Sequence, residues 1–183
     1  MRTSANILFC IIVLALSSCI VVGWSSGIKN IPDSYQPLIV DSRSIPIDSL
    51  KQDRRVHIVT EAQIQEYIAT HDSVLVQLWV AVCNSPSCTN PRTFEDYCIQ
   101  HNYSPLCILC YFDIPASFAL YDAVQMPCLF LDINQYSKDR VTVYSQEMHR
   151  NLTGNDTFNP KYWLFSEGKF SRYINKLEFS SSD

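Results

Sequence analysis

The sequence predicts an α/β fold: a central mixed β-sheet of four to five strands with helices on both faces. Three observations carry this expectation. Two nearly all-apolar runs, residues 73–82 (SVLVQLWVAV) and 106–112 (LCILCYF), have the composition of strands covered on both faces. Segments with helical spacing of apolar residues alternate with such runs, the pattern of parallel crossovers. The chain has 183 residues, 47% hydrophobic and 17% charged, enough for one core of ordinary size.

Taken in order, the elements begin with a short strand, Val56–Val59. Thr60-Glu61-Ala62-Gln63 fits a capping box, which satisfies the first free amides of a helix. That helix runs to about Thr70 and buries Ile64, Tyr67 and Ile68 at i, i+3, i+4. The central strand 73–82 follows, then a helix from about Cys88 to His101 and the second buried strand 106–112. Asp113-Ile114-Pro115 opens a short helix through Ala123. Residues 128–133 form a third strand, and 141–144 a fourth after a polar turn. Residues 145–165 read as a long insert with its own short helix. A last helix from about Glu167 places Phe170, Tyr173, Ile174 and Leu177 on one face. The order is β-α-β-α-β-α-β-β-α.

The chain opens with Met1-Arg2 and an apolar run over residues 7–24, the layout of a secretory signal. Leu16-Ser17-Ser18-Cys19 resembles the lipobox of bacterial lipoproteins. The resemblance implies a signal peptide of residues 1–18, lipidation of Cys19 and attachment to a membrane through that lipid. An uncleaved anchor helix and cleavage near residues 25–27 are the alternatives, since about 18 apolar residues nearly span a bilayer. All three put the globular part outside the cytoplasm, in the cell envelope. Residues 19–54 then read as a tether and N-terminal extension, and 55–183 as the domain.

The stretch from Val74 to Cys83 resembles the strand of the thioredoxin family that ends in the active-site cysteine, with Trp79 four residues before Cys83. Tyr121-Asp122-Ala123-Val124-Gln125-Met126-Pro127 resembles the segment leading to that family's cis-proline, and Pro127 lies 44 residues after Cys83. Asp113-Ile114 and residues 166–177 resemble the end of the next strand and the last helix. The resemblance covers residues 55–179 apart from the insert. It implies a thioredoxin-like fold, catalytic cysteines at Cys83 and Cys88, and a substrate-binding surface at Trp79, Met126 and Pro127, with Met126–Pro127 opposite the cysteines. The loop Cys83-Asn84-Ser85-Pro86-Ser87-Cys88 has four residues between its cysteines where thioredoxins have two.

Thiol-disulfide exchange needs a thiolate, and a thiol near pKa ~8.5 must be lowered to supply one. The amides at a helix N-terminus stabilise negative charge, and Cys83 stands at a strand-to-helix junction. Its attack makes a mixed disulfide that Cys88 resolves. The partners implied are thiols or disulfides of exported proteins. The competing reading is a permanent Cys83–Cys88 disulfide in a redox-inactive binding scaffold. A peroxidase is less well matched, because Val80 and Val76 stand where that chemistry needs a threonine and a proline. Copper binding would need a histidine beside Cys83, and none of His57, His71, His101 and His149 has an evident place there.

Six cysteines follow Cys19: Cys83, Cys88, Cys98, Cys107, Cys110 and Cys128. Oxidising surroundings preserve disulfides, and six thiols allow fifteen complete pairings. Cys107 and Cys110 are three apart on a strand, so they point to opposite faces and read as core thiols. Cys98 is a candidate partner for Cys107. Paired zinc knuckles are absent from the spacing, and no cofactor is implied. The net charge of −4 and the lack of a basic run argue against nucleic acid. Four glycines leave no Walker or dinucleotide pattern. Three glycosylation sequons begin at Asn102, Asn151 and Asn155. Tyr162, Trp163 and Phe165 either form a partner surface or pack the insert onto the domain.

Overall fold

A computed structural model describes residues 25–81, 88–111, 124–160 and 162–179. The elements are β1 (Ile39–Asp41), β2 (Val56–Val59), α1 (Glu61–Thr70), β3 (Ser73–Val80), α2 (Pro91–Gln100), β4 (Ser104–Tyr111), β5 (Cys128–Leu131), α3 (Val141–Thr153), β6 (Tyr162–Ser166) and β7 (Lys169–Ile174). The expected helix 113–123, Cys83 and Cys19 lie outside the described residues.

The strands form one mixed sheet in the order β1-β2-β5-β4-β3-β6-β7. The first five in that order run parallel, β6 runs antiparallel to β3, and β7 runs antiparallel to β6. The α/β class and the mixed sheet are as expected, but the sheet has seven strands rather than four or five. One added strand is β1, from residues expected to form the extension. Ile31 and Ile47 from that stretch are buried in the core.

From Val56 to Tyr111 the local signals agree with the structure. The capping box forms: Gln63 donates its backbone N–H to Thr60 Oγ1 at 3.2 Å, and Thr60 N–H reaches Gln63 Oε1 at 2.8 Å. The apolar run makes β3, flanked by β4 and β6, with Val74, Leu75 and Val76 fully buried. The helix expected from Cys88 instead starts at Pro91, with Asn90 as its cap. Proline is preorganised for the first helical position, and it disfavours helical backbone in the residue before it.

The C-terminal third departs from expectation at two places. Residues 141–144 are the start of α3 rather than a strand. Val141, Tyr144, Ser145, Met148 and His149 are its buried positions, a spacing of i, i+3, i+4, i+7, i+8 that belongs to a helix. The expected final helix is the β6–β7 hairpin. Glu167 and Gly168 both have positive φ, 51° and 75°, as a two-residue hairpin turn of type I′ requires. Pairing of Ser166 with Lys169 closes it. Tyr162, Trp163 and Phe165 face the core, so they pack this hairpin down instead of offering a surface.

The shared direction of β2, β5, β4 and β3 gives the molecule two distinct ends. The β3–α2 and β5–α3 connections leave from the C-terminal end of the parallel strands. The entry to β5 and the β6–β7 turn lie at the other end.

Candidate functional site

At the C-terminal end of β3 the chain passes Ala81 and enters the cysteine loop. It is described again from Cys88. Its return is gripped from two sides. Gln77, buried on β3, donates Nε2–H to the Thr89 carbonyl at 2.7 Å. Tyr162, from β6, donates its hydroxyl to Thr89 Oγ1. Asn90 then accepts the Thr93 N–H at 2.8 Å and starts α2. Thr89 is thus fixed through its backbone and its side chain.

Cys88 is half-buried and disulfide-bonded, with its partner outside the described residues. Cys98, Cys107, Cys110 and Cys128 are buried thiols outside any disulfide. The expected Cys98–Cys107 disulfide is therefore not formed. Burial, then the proximity of Cys107 and Glu95, holds the Cys98 thiol far above the ordinary thiol range. Burial pushes Cys110 up to about 12, against hydrogen bonds from Ser145 and the Trp79 backbone. Such thiols are poor nucleophiles at neutral pH. Cys107 and Cys110 do lie on opposite faces: Cys107 contacts Gln77 at 3.8 Å, whereas Cys110 contacts Ser145 of α3 at 3.9 Å.

The other expected site residues are scattered. Trp79 is buried on β3, 4% exposed, on the strand face it shares with Gln77. Met126–Pro127 does not sit opposite the end of β3. Leu129 pairs with Ile108, which places Pro127 level with Leu106, whereas Val80 pairs with Tyr111. Those five residues amount to about 16 Å along the strands. The cause is direction: β5 runs parallel to β4, so its entry falls at the far end of the sheet, and β4 separates it from β3. Among the described residues no peptide bond is cis, so Met126–Pro127 is trans.

The amides of this segment are also taken. Glu95 of α2, 4% exposed, accepts the Gln125 N–H at 2.9 and 3.1 Å and the Met126 N–H at 2.9 Å. A cavity of about 280 Å³ adjoins it, lined by Tyr67, Glu95, Cys107, Met126 and Pro127 among others.

One constellation has no signal in the sequence. Ser42 Oγ lies 2.9 Å from His57 Nδ1, and His57 Nε2 lies 3.1 Å from Asp53 Oδ1. The residue types are those of a hydrolytic triad. Ser42 is fully buried, however, and its carbonyl receives Gln63 Nε2–H at 2.8 Å. No substrate reaches its hydroxyl, and the chain of bonds instead ties the end of β1 to β2. Its members stand 4 and 15 residues apart on three separate segments, so no local spacing announces it.

The histidines are engaged away from the cysteine loop. His71 meets Asp48 at 3.2 Å, His101 the Tyr97 carbonyl at 3.0 Å, and His149 the Tyr173 hydroxyl at 2.9 Å. Among the described residues no group of three metal-ligating side chains comes together. No helix among them is long and apolar enough to cross a membrane. Comparison with protein-family models, with curated proteins and with solved structures finds no match.

Proposed function

We propose that this chain is an exported, thioredoxin-like protein that exchanges disulfides with other exported proteins through Cys83 and Cys88, and that the segment around Cys19 holds it to a membrane. The observation that carries the reading is the state of the cysteines. Four are buried thiols outside any disulfide, and Cys88 is disulfide-bonded. In the sequence Cys83 is the cysteine that shares the loop of Cys88. Support for the thioredoxin-like reading comes from the β-α-β-α-β order of β2 to β4, from the position of Trp79 before Cys83, and from the antiparallel hairpin that closes the sheet beside β3. The parallel β5 and the trans Pro127 make it a divergent version.

In this reading the bonded pair is the oxidised form. A target thiolate attacks the Cys83 sulfur, forming a mixed disulfide and releasing the Cys88 thiolate. A second target thiolate then attacks the target's own sulfur, and Cys83 leaves. The target gains a disulfide, and the chain carries two thiols.

A second reading has its own observation. Gln77 and Tyr162 already hold Thr89 rigidly beside Cys88, so the disulfide could serve only to brace that loop. Thiol alkylation with mass spectrometry across a series of redox buffers separates the two. Exchange requires the Cys83–Cys88 pair to open at a potential above about −300 mV, whereas a bracing disulfide stays closed below it. In cells, Cys88→Ser would accumulate mixed disulfides through Cys83, and Cys83→Ser would not. A pair that stays closed, with no trapped partner, rejects the exchange reading.

A further inference from the structure

We propose that Asn102 is an N-glycan acceptor, and the principal one among the three sequons of the chain. This rests on the export part of the proposed function and adds a covalent modification to it.

The first observation is how Asn102 is held. Its sequon, Asn102-Tyr103-Ser104, joins α2 to β4. Asn102 has a φ of 56°, the left-handed conformation that ends many helices and that asparagine tolerates. Its N–H donates to the Ile99 carbonyl at 3.3 Å, and the Tyr103 N–H to the Cys98 carbonyl at 2.9 Å. These two bonds close the end of α2 through the backbone alone. The Asn102 side chain is exposed and forms no hydrogen bond among the described residues. Asn-x-Ser on an exposed turn of an exported chain is the acceptor pattern for an N-linked glycan.

The second observation separates Asn102 from the other two sequons. Asn151 donates Nδ2–H to Glu61 Oε2 at 3.1 Å, tying α3 to α1. Asn155 is half-buried and donates Nδ2–H to the Tyr173 hydroxyl at 3.2 Å, the hydroxyl that also meets His149. A sugar on either nitrogen replaces one of its hydrogens and crowds that contact. Chains that fold poorly are removed in the cell, so modification at these two positions is depleted among the chains that accumulate.

The third observation is the surface beside the acceptor. Ile99 and Phe179, 66% and 48% exposed, are two of the three exposed large hydrophobics among the described residues. Ile99 stands three residues before Asn102. Phe179 lies edge-on against Tyr97 at 5.7 Å, and Tyr97 stacks at 4.1 Å on His101, the neighbour of Asn102. A bulky hydrated glycan screens such apolar surface from other chains.

The donor is an oligosaccharide carried on a lipid diphosphate. Asn102 Nδ2 attacks C1 of its first sugar. The N–C1 bond forms as the bond from C1 to the diphosphate oxygen breaks. Nδ2 gives one proton to a base of the membrane transferase, and the lipid diphosphate leaves with the electron pair. The glycan stands away from the cysteine loop. Ser104 pairs with Val74 at the start of β3, and Tyr111 with Val80 at its end, about 23 Å along the strand.

The test takes the full chain from its own cells. Sealed membranes and medium are separated into protease-protected and protease-accessible pools. An N-glycan amidase acting in heavy-oxygen water turns each glycosylated asparagine into a labelled aspartate, which mass spectrometry locates. We expect secreted or protected chain to carry label at Asn102 several-fold above Asn151 and Asn155. Ser104→Ala should remove that label and Ser104→Thr should keep it, an order that a folding defect does not produce. Secreted or protected chain without label at Asn102, or with no more there than at Asn155, overturns the acceptor and leaves export standing. A chain found only in the accessible pool rejects export, and the acceptor with it.

Discussion

The two ends of the sheet each hold a loop with buried polar side chains, and they do so by different means. At the C-terminal end two neutral groups, the Gln77 amide and the Tyr162 hydroxyl, grip Thr89 from separate strands. At the N-terminal end one carboxylate, Glu95, gathers the amides of Gln125 and Met126. Hydrogen bonds to a charged group contribute about 1.5–3 kcal/mol each, against about 0.5–1.5 for neutral ones. The charged clamp is the stronger, and it consumes the very amides that a substrate strand would need at Met126. The neutral clamp leaves the neighbouring half-buried Cys88 at the surface. The two loops thus differ in what their anchoring leaves open: the amides of one are consumed, and a half-buried cysteine stands beside the other.

Removing the stronger clamp should have the largest effect. Glu95→Ala strands two amide donors, one of them buried, and should cost about 3 kcal/mol. That is a large share of the 5–15 kcal/mol that holds a domain together. Glu95→Gln keeps one acceptor and should cost roughly half as much. Urea unfolding of both variants measures this. A loss under about 0.5 kcal/mol for Glu95→Ala, the range of ordinary surface changes, would show that the segment does not depend on the carboxylate.

The neutral clamp should yield less. Gln77→Leu keeps the volume but leaves the Thr89 carbonyl without its donor, for about 1–2 kcal/mol, and Tyr162→Phe should cost about 1 kcal/mol. Both side chains hold one residue, so the double variant should depart from the sum of the singles by more than the ~0.5 kcal/mol seen for independent sites. The same variants sharpen the functional side of the comparison. If the grip on Thr89 poises Cys88, Gln77→Leu shifts the midpoint of the alkylation titration, whereas Glu95→Gln, at the other end, leaves it unchanged.

The contrast between the ends also explains which parts of the molecule were legible. From Val56 to Tyr111 each element follows from neighbouring residues: a capping box, an apolar run, a proline at a helix start. These signals act within a few positions and tertiary packing agrees with them. The C-terminal third turns on choices that local pattern leaves open. Val141, Thr142 and Val143 favour a strand taken alone, and only the continuation through Met148 and His149 reveals the helical period. Phe170, Tyr173 and Ile174 match a helix spacing, yet Glu167-Gly168 permits a tight hairpin whose first strand is buried on β3. β5 takes its place between β2 and β4. That is a property of the assembled sheet, and Glu95 reaching Met126 across 31 residues depends on it. The separation of Met126–Pro127 from the end of β3 had no such local signal.

The smallest predicted effect concerns a clamp with solvent on one side, the Ser42–His57–Asp53 link between β1 and β2. Asp53 feels burial, which raises its pKa, but hydrogen bonds from Arg55 and His57 and their charge outweigh it, and the carboxyl titrates below its ordinary range. A group whose pKa is lower in the folded than in the unfolded chain stabilises the fold above its unfolded pKa. That contribution is lost as pH falls through the folded value. Stability measured by urea midpoint should therefore decline from neutral pH into the acid range, with Asp53 as one source of the slope. Asp53→Asn should lower stability modestly at neutral pH, because the side chain is 27% exposed and solvent screens its pairs. It should also flatten the acid decline, so that variant and parent converge at low pH. Parallel curves for the two proteins would mean that Asp53 carries no linkage.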